Sequence, residues 1–404
     1  MSSVITLGGC FCSSGTVLDY LVAMTGFGRV RVEGLVAAAS GASGLAAEKI
    51  RRAFGAKTSV FNKFTHEKAC AVAYLRQALA RALAEADGLI VEGCGGLLIP
   101  RAVTHALRVC LIADMAFRQS QAEGAGLSPK QALKQIRRAD EDCAAWAQYI
   151  SGQSDPWTPE AYDILIPMHK TVPQQAASLI EENLLKPPLR PSEASRQAVA
   201  DFLLAADTGV ALASAGHDVS VSAEKGAVSL TINKQVLMLN RLSDDLKQIA
   251  EQVPGVTSVT TTVGAEFQQS HIYRRHNFEA PSRVLLVDDE RDFVQTLSER
   301  LELRDMGSAV VFNGESALEV VAEDEPEVMI IDLKMPGIDG FEVLRKVKST
   351  RPEIEVIVLT GHGSSVDEAQ CRELGAFAYL QKPVDIEELS ELLRQAHEKI
   401  RKNH

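Results

Sequence analysis

"VMIIDLKMPG", residues 328–337, decides how the C-terminal third of the chain reads. A short apolar run bounded by turn residues has the length of a strand buried on both faces. Asp332 closes the run, and the lysine, proline and glycine after it are turn chemistry. The same form recurs on either side. "RVLLVDDE" (283–290) ends on Asp288 and Asp289, "EVIVLTGHG" (355–363) on Thr360, and "AYLQKPVD" (378–385) on Lys382; "SAVVFN" (308–313) makes a fifth run. Helical spacing lies between them, and in "IEELSELLRQAHEKI" the residues Ile386, Leu389, Leu392, Leu393 and His397 share one side. Strands alternating with helices predict an open parallel sheet covered on both faces, and such sheets carry their sites at the carboxyl ends of the strands. Asp288, Asp289, Asp332, Thr360 and Lys382 are therefore predicted to meet at one edge.

Three carboxylates brought together repel and require a cation. Oxygen donors suit a hard divalent ion, and Mg²⁺ is the one predicted. The same ion neutralises a phosphoryl group passed to a carboxylate. Asp332 is the expected nucleophile, forming an aspartyl phosphate, with Lys382 and Thr360 holding the phosphoryl oxygens. A merely solvated acidic edge would need five coincidences of residue type and place. On these residues, 282–404 resembles the receiver domain of two-component response regulators along its whole length. The resemblance implies that Asp332 is phosphorylated by a cognate sensor histidine kinase. It implies that Asp289 and Asp332 bind Mg²⁺ directly, Asp288 through water, and Lys334 through its main-chain carbonyl. It further implies a cis Lys382–Pro383 bond and a switch role for Tyr379. Phosphorylation adds nearly two negative charges, enough to bias a domain with two surface packings. The surface expected to move is 361–366 and the helix and strand after it. Its partner is the same chain, a second copy forming a homodimer, or an unknown downstream protein.

Working back toward the N-terminus, residues 1–187 alternate apolar runs (4–7, 88–91, 108–113) with alanine-rich helical stretches (69–86, 128–150), again predicting a parallel α/β sheet. "LGGCFCSSG" (7–15) lies between a strand and a helix, where backbone N–H groups can grip a phosphate. The lysine that usually adds charge there is replaced by Thr16. This segment resembles the cytidylate-kinase-like family of P-loop proteins: "VITLGGCFCSSG", "ADGLIVEGCGGLLI", "VCLIADMAFRQSQAEGAGLSPKQALKQIRRAD" and "DPWTPEAYDILIP" stand where that family has its first loop, GRG strand, arginine helix with lid, and late YDL motif. The departures point one way. Gly9 and Cys10 replace an Arg-Glu pair, Cys12 and Ser14 replace glycines, and Cys94 and Cys143 replace arginines. Side chains at loop glycines obstruct the approach of amides to phosphate, and phosphoryl transfer relies on positive charge. Arg118 persists; Arg137 and Arg138 are nearby charges. The segment is predicted to be a degenerate kinase scaffold used as a non-DNA output. The residues left for nucleotide binding are Ser13, Gly15, Thr16 and Arg118, and whether a nucleotide binds stays open. The alternative is an active, phospho-regulated nucleoside monophosphate kinase of cytidylate type.

"KPPLRPSE" is a proline-punctuated linker. Residues 194–268 follow with a helix, a hairpin in "DVSVSAEKGAVSLTI", a second helix and a strand from "PGVTSVTTTV". This αββαβ order, with "VPGV" before its last strand, resembles a BON domain; the plainer reading is a small α+β spacer.

The whole chain has 404 residues and a net charge of −11, with 46% hydrophobic and only 5% aromatic residues. Several aliphatic cores fit that length. The acidic balance argues against nucleic acid as a partner; "YRRH" (273–276) reads as solvated linker. Seven scattered cysteines and no CxxC fit a reducing cytoplasm. Cys10, Cys12 and Cys94 are the one set that could meet a metal, against the plainer reading of packed thiols. His66, Trp146 and Trp157 read as ordinary core or surface residues. No signal peptide and no membrane span are expected.

Overall fold

The computed structural model describes the chain except for residues 1–2, 12–14, 237, 266, 268–275, 277–279, 362–363 and 404, and leaves the side chains of residues 15 and 403 undescribed. The chain is mixed α/β and forms two compact units: Met1–Thr58 with Lys68–Tyr273, and Ser59–Glu67 with Arg274–His404. Nothing in the sequence announced that residues 59–67 would leave the first unit for the second. Among the described residues, no helix is long and apolar enough to cross a membrane.

The first unit opens with β1 (Val4–Gly9), α1 (Gly15–Thr25), β2 (Gly28–Val30), α2 (Val32–Ser43) and α3 (Ala47–Arg52). In the excursion, the short α4 (Asn62–Thr65) belongs to the second unit, and α5 starts as the chain returns (Glu67–Glu85). Then come β3 (Leu89–Glu92), a 3₁₀ turn (Gly93–Leu98), β4 (Ala106–Ile112), α6 (Met115–Gly124), α7 (Pro129–Ser151), β5 (Ile164–Pro167) and α8 (Pro173–Leu184). The strands pair in parallel in the order β2-β3-β1-β4-β5. The sequence placed the three central strands and not the two edge strands, β2 and β5, which are only partly buried. α7 begins where its sequence says it should. The Ser128 hydroxyl accepts from Gln131 N–H, the Gln131 side chain returns to Ser128 N–H, and Pro129 occupies the first turn. Trp146, fully buried, stacks at 4.4 Å on Phe54.

The same unit continues through α9 (Glu193–Ser214), β6 (Ser220–Glu224), β7 (Ala227–Ile232), α10 (Leu239–Ala250) and β8 (Ser258–Val263). The hairpin is antiparallel, and its two turn residues, Lys225 and Gly226, both have positive φ, as right-twisted strands require. β8 pairs in parallel with β7. Val228, Leu230 and Ile232 alternate inward onto Leu242, Leu246 and Ala250. α9 is shared: Ala198, Val199, Phe202 and Ala206 are buried in the same core as Leu75 and Leu79 of α5. Apart from residues 59–67, the kinase-like and αββαβ segments thus fall in one compact unit.

The second unit is β9 (Val284–Val287), α11 (Arg291–Glu302), β10 (Ser308–Val311), α12 (Gly314–Asp324), β11 (Val328–Ile331), α13 (Gly340–Thr350), β12 (Glu355–Thr360), α14 (Ser365–Glu373), β13 (Ala378–Gln381) and α15 (Ile386–Asn403). Its five strands are parallel, in the order β10-β9-β11-β12-β13. β9, β11 and β12 are buried along their full length, which is why they read as unbroken apolar runs. Two cores fill the two faces. Leu285, Met329 and Val356 lie in one; Leu286, Ile330 and Ile357, with Leu389 and Leu393 of α15, lie in the other.

Candidate functional site

In the second unit the chain moves to opposite sides of β9 in successive crossovers, and a crevice forms where the direction reverses. The register sets its contents level. Val287 lies opposite Ile331, and Asp332 N–H donates to the Val287 carbonyl at 3.0 Å, so Asp288 and Asp332 leave their strands side by side. Thr360 pairs with Gln381, and Lys382 N–H donates to the Thr360 carbonyl at 3.0 Å. All five residues singled out by sequence are therefore at one edge. Asp288, Asp332 and Thr360 are buried and Asp289 is exposed.

Asp288, Asp289 and Asp332 each present a carboxylate oxygen within 4.8 Å of the others, the single group of that kind among the described residues. Burial raises the Asp288 carboxyl above its ordinary range, against the opposing pull of Lys382 and of Glu290 N–H. The Lys382 ammonium sits among them, 2.7 Å from Asp288 Oδ2, 2.8 Å from Glu290 Oε1 and 3.0 Å from Asp332 Oδ2. Burial alone would lower its pKa; those carboxylates outweigh burial and raise it. Its Nζ also lies 4.5 Å from the centre of the Phe293 ring. Glu290 and Phe293 were not singled out in the sequence. Glu290 adjoins the acidic pair, and that adjacency was the available signal.

Lys334 is exposed, and its N–H donates to Asp332 Oδ1 at 3.2 Å, fixing the acceptor loop. Gly340, at the head of α13, is held against that loop. A Cβ there would collide with the Asp332 carbonyl oxygen and lie 2.7 Å from Leu333 Cα. Tyr379 is half-buried; its hydroxyl is buried and has no hydrogen-bond partner among the described residues. The Lys382–Pro383 peptide is cis.

The first unit presents a different picture. Arg118 is buried, with Nε donating to the Phe11 carbonyl at 3.2 Å and its two terminal nitrogens reaching the Asp140 oxygens at 3.0 and 2.5 Å. Gly15 heads α1 and Thr16 follows in its first turn, exposed; Ser13 and Cys12 lie outside the described residues. Cys10 is buried, and burial pushes its thiol up, keeping it neutral. Cys94 and Cys143 hydrogen-bond to each other, and Trp146 Nε1 donates to the Cys94 carbonyl at 2.9 Å. At the two positions where the resemblance implies arginines, the chain carries this half-buried thiol pair. Arg138 is exposed and 4.0 Å from Asp142.

Residues 284–394 match the response regulator receiver domain family, and residues 4–170 match the cytidylate kinase-like family. Sporulation initiation phosphotransferase F of Bacillus subtilis (strain 168) is 31% identical over 113 residues, which cover 28% of this chain and 91% of that protein. The chain belongs to the response regulator receiver family. Response regulator MprA of Mycolicibacterium vanbaalenii is 34% identical over 114 residues, 28% of this chain and 49% of that protein; the chain thus spans about half the length of that relative. A solved response regulator receiver domain from Clostridium thermocellum is 31% identical, covers 30% of this chain and 98% of its own, and gives a TM-score of 0.29.

Proposed function

We propose that the chain is a two-component response regulator that accepts a phosphoryl group on Asp332 from a sensor histidine kinase and uses its kinase-like unit as an output that does not bind DNA. The observation that carries this reading is the acidic trio with Lys382 at the crevice. Asp332 Oδ attacks phosphorus, the P–N bond to the donor histidine breaks with its electron pair left on nitrogen, and an acyl phosphate remains. Lys382, already at Asp332 Oδ2, then transfers its contact to a phosphoryl oxygen. Thr360, at the end of the neighbouring strand, supplies its hydroxyl to another, and Tyr379 is the side chain that follows it.

The site suits Mg²⁺. Asp288, Asp289, Asp332 and the Lys334 carbonyl are the oxygen donors proposed to hold it, and the three carboxylates already lie within 4.8 Å of one another. When bound, the ion offsets the negative charge that gathers between phosphoryl group and carboxylates. Incubation with a small phosphodonor and Mg²⁺ should label the wild-type chain, and Asp332→Asn should abolish labelling. Label retained in that variant overturns the assignment.

For the first unit, the engaged Arg118 and the thiol pair at two arginine positions favour a scaffold over an active nucleotide kinase. The αββαβ part, resembling a BON domain, shares its core with that scaffold through α9 and is proposed to be part of the same output body. ATP-dependent phosphorylation of CMP by the purified chain would overturn this assignment.

A further inference from the structure

Residues 59–67, "SVFNKFTHE", complete the receiver unit from a distant part of the sequence. Phe61 is fully buried in the cluster that contains Leu285, Val321 and Met329. The Arg283 guanidinium lies 5.3 Å from the Phe61 ring centre and 3.9 Å from Glu67 Oε2, and donates at 2.9 and 2.7 Å to the Asp324 and Glu325 carbonyls. Val60 N–H donates to Asp324 Oδ2 at 3.0 Å, and Lys63 Nζ is 2.9 Å from Glu302 Oε1. Gly307 leaves room for Phe64; a Cβ there would stand 2.5 Å from Phe64 Cβ. These partners lie at the amino ends of the strands, opposite the edge that carries Asp332.

Two stiff elements run between the two ends. Arg283 immediately precedes β9, and Asp288 immediately follows it, about 17 Å away at the rise of a strand. The first turn of α12 touches the acceptor loop, where Glu315 Oε1 accepts from Ile338 N–H at 3.2 Å, and its last residue is Asp324, which holds Val60. Asp332 touches Lys382 and the loop at one end of these elements, and the partners of the segment, Arg283 and Asp324, stand at the other. The segment's ends continue, at Thr58 and Lys68, into α3 and α5 of the first unit.

We infer that residues 59–67 are a built-in peptide ligand of the receiver, through which the state of Asp332 is read by the chain on either side. The inference rests on Asp332 being the phosphoacceptor. If the two sites are coupled, the coupling must be reciprocal: weakening the segment changes affinity at Asp332 by the factor by which occupancy of Asp332 changes the segment.

The test uses the full chain with beryllium fluoride and Mg²⁺ as the acyl-phosphate mimic. In the wild type, saturation should alter amide exchange across residues 59–67 and in the adjoining stretches 47–58 and 68–85. Lys63→Glu sets like charges at Glu302 without touching the core, and Phe61→Ala removes the anchor. Each folded variant should lose that remote response and shift the affinity for the mimic about fivefold or more. An unchanged segment in the saturated wild type, or unchanged affinity and remote response in Lys63→Glu, overturns the inference. If the mimic fails to bind the folded wild type at all, the phosphoacceptor reading falls, and this inference with it.

Discussion

The Lys382 ammonium lies 2.7 Å from Asp288 Oδ2, with both side chains at most one-tenth exposed, so a buried ion pair stands inside the candidate site. Removing one partner of a buried pair leaves an uncompensated charge and costs about 3–5 kcal/mol. Lys382→Ala should therefore destabilise the chain by an amount in that range without divalent ions, measured by urea unfolding followed by circular dichroism. Mg²⁺ should then stabilise the variant more than the wild type, because the trio has lost its resident cation. Equal stabilisation of both would mean that the three carboxylates do not form the cation site.

The raised Asp288 carboxyl fixes the sign of a pH effect. The folded chain holds this proton more tightly than the unfolded chain does. The contribution of Asp288 to stability is thus greatest below the ordinary carboxylate range and is lost as pH rises through its raised folded value. Asp288→Asn cannot ionise. With divalent ions absent, the variant should gain stability relative to wild type as pH increases from about 4 to 7. Urea unfolding at a series of pH values checks this; a wild type that gains on the variant over that interval contradicts it.

Gly340 supports Asp332 by its smallness. A side chain there meets backbone, the Asp332 carbonyl and Leu333 Cα, and so has no flexible neighbour to displace. Overpacking of this kind costs about 1–3 kcal/mol. Gly340→Ala should lower the rate of labelling by a small phosphodonor at least about tenfold, since roughly an ångström of misplacement can cost more than that, while the chain stays folded by circular dichroism. A labelling rate equal to the wild type would show that the acceptor loop tolerates the shift.

The receiver was legible because its chemistry and its pattern coincide. Central strands buried on both faces read as apolar runs; Asp288 and Asp332 each follow one directly, Thr360 closes another, and Lys382 follows the edge strand β13. The hairpin at Lys225 and Gly226 was legible for a similar reason, local turn chemistry between alternating strands. Phe61 was not. Two phenylalanines in a short, mostly polar stretch carry no period, and what buries Phe61 is a core built more than 200 residues later. The sharing of α9 between the kinase-like and αββαβ parts was also hidden. Its helical spacing predicts a buried face but says nothing of which core receives it. The state of Arg118 needed coordinates as well: the sequence shows the arginine but not its pairing with Asp140.

That pairing carries the last prediction. Arg118 is 5% exposed in its side chain, and Asp140 holds it at two points while Phe11 holds it at a third. A phosphate entering the first loop would have to displace Asp140 or leave a buried guanidinium shared between two anions, and the thiols of Cys94 and Cys143 bring no positive charge to help. Titration of ATP or CMP with Mg²⁺ into the full chain should therefore give no heat beyond dilution up to millimolar nucleotide. Asp140→Asn should cost on the order of 3 kcal/mol, toward the lower end for a buried pair because Asp140 is a quarter exposed. Micromolar binding by the wild type would mean that the loop still grips phosphate despite the engaged arginine, and the kinase-like unit would have to be treated as an enzyme under the receiver's control.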